Sequence, residues 1–204
     1  MADALPAVLA EYVAARDNVR AIVAEWSPQW PVPGEQIIRY GAGCKDHRTL
    51  DGWGIELPWG NRGVKRMPQI GTPDYFDAAA KRHEEAVARI EAKGGRRDLH
   101  FHRKWAESER AAIEPARAFW AEVDRITAAS GIEAAKARLA RAEAALKSAV
   151  DQIMLAADKT ITGTVIKAQA MTAWAEVDGL SRVFNDRGTA WADLLAASIV
   201  KQAA

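Results

Sequence analysis

The sequence predicts an all-α protein built around a long antiparallel helical hairpin or bundle, interrupted by an irregular Gly/Pro/Trp-rich insertion. Three observations predict it. Alanine and straight-chain charged residues, the strong helix formers, dominate most of the 204 residues. Glycine and proline crowd instead into one stretch, with 14 of the 22 lying between Pro28 and Pro73. Two runs of apolar residues then repeat every seven positions over the middle of the chain. The expected organisation is one domain, with an N-terminal helix at 1–26, an irregular Trp-rich insertion at 27–72 and a helical hairpin or bundle at 73–204.

The first element follows from Leu5, Val8, Leu9, Tyr12, Val19, Ile22, Val23 and Trp26, spaced three and four apart as on a helix with one buried face. It runs from Ala4 to Glu25. The insertion cannot stay helical, because proline lacks a backbone N–H and glycine favours turns, so turns and short extended pieces are expected there. Thr72 followed by Pro73 is an N-cap and first-turn signal, and Phe76, Ala79, Ala80, His83, Val87 and Ile90 continue on one face. Gly94 and Gly95 end that helix in a turn or sharp kink, since two glycines in a helix interior cost about 2 kcal/mol.

Trp105, Ala112, Phe119 and Ile126 form one heptad row, with Glu109, Ala116 and Val123 between them. Ile132, Leu139, Leu146 and Ile153 form another, with Ala135, Ala142 and Ala149 between. Ser130 and Glu133 read as a capping box, and 128–131 has the length of a helix–helix turn. Folding there pairs Trp105 with Ile153, Ala112 with Leu146, Phe119 with Leu139 and Ile126 with Ile132. Pro115 removes one hydrogen bond from the first arm. Asp158 to Gly163 breaks the pattern. Thr162 is placed to cap a further helix carrying Val165, Ala168, Met171 and Ala175, and Trp191, Leu194, Leu195, Ser198 and Ile199 mark a last one.

Composition excludes several classes of function. Apolar residues at 49% and charged residues at 27% are ordinary for a globular chain. A formal net charge of +1 supplies no global field toward nucleic acid or anionic lipid. A single cysteine, Cys44, rules out a disulfide scaffold. The absence of a basic, apolar leader in the first twenty residues and of any long apolar run leads us to expect a cytoplasmic protein with no membrane partner.

Three sets of residues carry candidate chemistry. Cys44 and His47, spaced C-x2-H, with His100 and His102, spaced H-x-H, would supply four zinc ligands if the insertion folded onto the Gly–Gly turn. On a helix, however, His100 and His102 point to different faces, and ordinary polar histidines are the simpler reading. The run from Arg96 to Trp105 holds Arg96, Arg97, Arg103 and Lys104 with Phe101 and Trp105, the composition of a nucleic-acid contact. The plain alternative is that the rings, one helical turn apart, continue the buried seam. Finally, Trp53, Trp59, Arg62, Lys65 and Arg66 lie within 14 residues of irregular chain, where helix packing requires none of them. Aromatic and arginine side chains in a loop on a rigid frame suit a partner contact, or a small hairpin that glues the insertion to the bundle.

The segment Thr160, Ile161, Thr162, Gly163, Val165, Ile166, Lys167, Ala168, Ala170, with Leu194 to Val200, resembles uncharacterised helical proteins of alphaproteobacteria that often lie near prophage or mobile-element genes. Those proteins carry a T-x-x-G-x-x-x-K-A step before a closing helix. The likeness covers about the last 80 residues, and this chain departs with Lys201 and Gln202 where an acidic residue is usual. It implies the helical fold and no activity.

No G-x-S-x-G elbow, Walker loop or G-x-G-x-x-G turn is present. The expectation is therefore a non-catalytic interaction or accessory protein with an unknown protein partner and no cofactor. The alternatives are a metal-dependent enzyme using Cys44, His47, His100 and His102, or a nucleic-acid-associated protein using the segment 96–104.

Overall fold

The structure is a computed structural model that describes residues 4–39, 44–46, 49–50, 52, 55–56, 65–66, 69–157, 160–184 and 188–203. It is all-α. The described residues form six α-helices, α1 (Leu5–Trp26), α2 (Pro73–Ala92), α3 (Leu99–Ser130), α4 (Ile132–Leu155), α5 (Ile161–Phe184) and α6 (Gly188–Ala203), and four short strands, β1 (Cys44–Asp46), β2 (Ile55–Glu56), β3 (Lys65–Arg66) and β4 (Gln69–Gly71). Among the described residues, no helix is long and apolar enough to cross a membrane. Two compact units divide the chain: Ile22–Ile132, and Met1–Ala21 with Glu133–Ala204. The composition changes near 26 and 72 mark where the element type changes, rather than where the contacts part.

The unit Ile22–Ile132 is organised by the α2–α3 hairpin. Thr72 caps α2 as expected, its hydroxyl accepting the Tyr75 N–H at 3.1 Å. The glycine turn closes the hairpin: Gly94, at φ +66°, and Gly95 donate to Glu91 and Ile90. Arg103 then meets Glu91 near the turn, and Arg110 meets Glu84 and Asp77 further along, which is the antiparallel sense. The insertion forms nested antiparallel ladders, β1 with β4 in the register Cys44↔Gly71 and β2 with β3 in the register Ile55↔Arg66. Ile38 bridges to Ile70, and Ile37, Ile70 and Phe76 pack with Ala112, Ala116 and Phe119 of α3. The two alanines leave room for those larger side chains. Gly71 is required for close approach, because a Cβ there would stand 2.5 Å from the Phe76 ring.

In the unit Met1–Ala21 with Glu133–Ala204, the core joins Tyr12 and Ala15 of α1, Ala142, Leu146, Val150 and Met154 of α4, Ala170 and Trp174 of α5, and Trp191 of α6. Trp174 and Trp191 meet edge to face at 5.5 Å. Tyr12 donates to the Val177 carbonyl, and Trp191 donates its indole N–H to Asp151 at 2.9 Å, so the polar ends of both rings are satisfied.

A hairpin of α2 and α3 turns at Gly94–Gly95, where the sequence indicated a turn or kink, and the break between α3 and α4 falls at Gly131, inside the expected turn at 128–131. The heptad rows are buried largely as expected. Ala112 and Phe119 pack under the insertion, whereas Leu139, Leu146 and Ile153 pack with α1, α5 and α6. Trp105 is a departure, being 40% exposed. Two caps also shift. Ser130 closes α3, donating to Thr127 and accepting from the Ile132 N–H, with Gly131 at φ +65° beyond it, so no Ser130–Glu133 box is used. Thr160, rather than Thr162, starts α5 by accepting the Gly163 N–H at 3.2 Å.

Candidate functional site

The most developed surface lies on the α2–α3 hairpin. His83 of α2 and His102 of α3 face each other with Nδ1 atoms 2.9 Å apart, an arrangement in which one ring donates and the other accepts. Trp105 lies nearly parallel to His83, 20° between planes and 6.1 Å between centroids, and Phe101 sits 5.9 Å from Trp105. These two large rings are not covered: Phe101 is 51% and Trp105 40% exposed. The plain reading of them as core is thus corrected. On an isolated hairpin face, i,i+4 spacing marks a shared surface as readily as a seam. A groove of about 420 Å³ runs beside them, lined by His100, Phe101, Lys104, Trp105 and Ser108.

Burial holds His83 below the usual histidine range, and the neighbouring His102 and Arg82 push the same way against an opposing pull from Glu109. The unfolded chain takes up a proton near the ordinary value of 6.5 that folded His83 refuses. Stability should accordingly fall as the pH drops through the interval just below 6.5, and His83→Phe should flatten that dependence in melting curves recorded across pH 5 to 8, about the range in which histidine changes charge. Equal pH slopes for both chains would refute it.

A second polar cluster is buried deeper in the same unit. Glu109, 3% exposed, accepts from Arg39 Nε at 3.4 Å through Oε1, while its other oxygen, Oε2, has no partner among the described residues. Arg39 also donates to the Ile38 carbonyl and lies 5.2 Å over the Phe76 ring. Cys44 and Tyr75 adjoin it. Burial raises the Cys44 thiol above its usual range, with Tyr75 and Arg39 opposing the rise and Glu109 adding to it, the direction that disfavours a thiolate. The sequence reading did not single out Glu109 or Arg39. A glutamate in a row otherwise made of Ala116 and Val123 was the one available signal.

The remaining sequence candidates separate. Trp53, Trp59, Arg62 and His47 lie outside the described residues, and the backbones of Lys65 and Arg66 form β3. The described members of the Cys/His set do not converge: His102 pairs with His83, His100 lines the groove and Cys44 sits beside Tyr75. Among the described residues, no group of three or more His, Cys, Asp and Glu side chains is placed to hold a metal ion. In the basic run, Arg103 is held by Glu91 at 2.5 Å, whereas Arg97 is 97% exposed with Asp98 4.0 Å away, and Arg96 and Lys104 are exposed.

In the other unit, the T-x-x-G-x-x-x-K-A residues have defined work. Thr160 caps α5, and Lys167, 5% exposed, donates to Ser198 of α6 at 3.2 Å. Ser198 in turn donates its proton to the Leu194 carbonyl. With both groups buried and the hydroxyl proton engaged, the pair ties α5 to α6 rather than presenting a nucleophile. An apolar groove of about 610 Å³ runs between α1 and α5, lined by Leu5, Leu9, Val165 and Ala173 among others.

No family model, curated protein sequence or solved structure matches this chain.

Proposed function

We propose that the chain is a non-catalytic binding protein whose contact face is the exposed side of the α2–α3 hairpin around Phe101 and Trp105. One observation carries this reading. Two large aromatic side chains, Phe101 and Trp105, stand half exposed on a regular helix, next to a groove. Exposed aromatic surface of that kind is costly in a protein that binds nothing, and such rings dominate interface energies when covered. The polar clusters support binding over catalysis: the thiol of Cys44 is raised and Ser198 is buried with its proton engaged. The Trp53–Arg66 loop remains a second contact candidate on compositional grounds alone.

The test places a photo-crosslinking residue in the groove, Ser108→p-benzoylphenylalanine, and irradiates cells that make the full chain. Adducts are expected, and they should disappear when Phe101→Ala and Trp105→Ala are added with helical circular dichroism unchanged. A chain that forms no adduct, or forms it equally without the two rings, has no contact face here.

A further inference from the structure

We infer, on the strength of the contact-face reading above, that the ligand of the Phe101–Trp105 face is single-stranded nucleic acid. The geometry is that of a supported stacking surface. Trp105 is backed on one side by the nearly parallel His83 ring, and His83 is itself held by the 2.9 Å bond to His102. The indole thus has an ordered, parallel-offset ring beside it and lines the groove with Phe101. A flat ring presented rigidly takes another flat ring at little ordering cost.

The surroundings of the rings specify the rest of the ligand. An apolar peptide would want apolar neighbours, but the groove is flanked by Lys104 and His100, one helical turn apart on α3. Arg96 and Arg97 project from the turn that precedes the helix. Of the acidic residues close by, Glu91 is taken up by Arg103 and Asp98 pairs loosely with Arg97 at 4.0 Å, which leaves Arg96 and Lys104 outside the ion pairs of the described residues. Glu107, on the next turn of α3, is an exposed opposing charge. A ligand that combines planar rings with repeating anions satisfies both halves of this surface. Duplex nucleic acid does not, since its bases are already stacked and its ring faces are inaccessible. Spread over Arg96, Arg97 and Lys104, the cations suit several successive phosphates rather than the single one of a mononucleotide.

Fluorescence anisotropy of the purified full chain with a labelled single-stranded oligothymidylate of about twelve nucleotides tests this, the length being within the range such sites cover. Binding at low salt is expected, with log Kd rising with log salt at a slope of about 2, from three phosphate contacts at about 0.7 each. Trp105→Ala and Phe101→Ala should each weaken it at least tenfold, Trp105→Phe should restore most of the loss, and Lys104→Ala should lower the slope by about 0.7. Lys104→Glu, at an exposed position that does not risk the fold, provides an independent loss of binding. Equal affinity for a duplex or for heparin, with Trp105→Ala without effect, overturns the inference as mere polyanion binding. Thymidine monophosphate competing as well as the strand overturns it in favour of a free nucleotide. A protease-sensitive, nuclease-resistant adduct at Ser108 with no oligonucleotide binding overturns it while leaving the contact face standing, and absence of any adduct removes both.

Discussion

Leu146→Ala should destabilise the chain by about 2–5 kcal/mol, and Leu139→Ala, one heptad earlier on the same helix, by clearly less. Both leucines stand in the same sequence row, so periodicity alone ranks them equally. Their surroundings differ. Leu146 is fully buried in the cluster that joins α1, α4, α5 and α6, flanked by Val150, Met154 and the Trp174–Trp191 pair, whereas Leu139 packs against the edge of that cluster and retains contact with water. Truncating Leu146 removes apolar surface and leaves a cavity among groups that close-packed neighbours prevent from collapsing. Truncating Leu139 removes surface that was partly hydrated already, and water fills the space. Chemical denaturation followed by circular dichroism measures both. Equal losses, or a larger one for Leu139, would mean that the core of this unit is not centred where α4 meets Trp174 and Trp191.

The contrast between those two leucines shows what the sequence made legible. Period 3.6 and period 7 patterns report that a helix has a buried face, and α1, α2, α3 and α4 begin and end within a few residues of their expected limits. They do not report which element covers that face. Ala112 and Phe119 were buried as read, but beneath Ile37, Ile70 and Phe76. Ile37 and Ile70 come from the Gly/Pro-rich stretch, where no periodicity exists to announce an inward-facing residue. Trp105 failed for a related reason. Its heptad position is sound, but it falls near the Gly94–Gly95 end of the hairpin, away from the insertion core at Ala112, Ala116 and Phe119. The Gly94–Gly95 turn, by contrast, was readable because glycine at positive φ is a local requirement.

The candidate site was readable only in part, for the same physical reason. Phe101, Lys104 and Trp105 were visible as a composition, because charge and aromaticity are properties of single residues. His83 entered only as one position on an apolar face. Its bond to His102 depends on the hairpin register, which nothing local encodes. Arg39 was invisible, being one cation in an irregular segment.

Arg39→Ala should cost about 3–5 kcal/mol, the range for removing one partner of a buried ion pair. The expectation rests on Glu109, whose carboxylate lies at 4% side-chain exposure with Arg39 as its charged contact and with Oε2 already lacking a partner. Removing the guanidinium strands that charge, because a carboxylate in the hairpin interior cannot recover its lost hydration. It also removes the cation stacked over Phe76, which ties the insertion to α2, and the donor to the Ile38 carbonyl within the insertion. Glu109→Leu should be milder, since Arg39 keeps 20% side-chain exposure and turns to water when its partner is lost. The decisive comparison is the double variant. With Arg39→Ala and Glu109→Leu combined, the stranded charge is gone, so the chain should regain stability relative to Arg39→Ala alone. Denaturant unfolding of the four chains gives the coupling directly. If the two losses simply add, the pair contributes no interaction, and the insertion is held by its other contacts, such as the packing of Ile37 and Ile70 and the Trp120 bond to the Gly71 carbonyl.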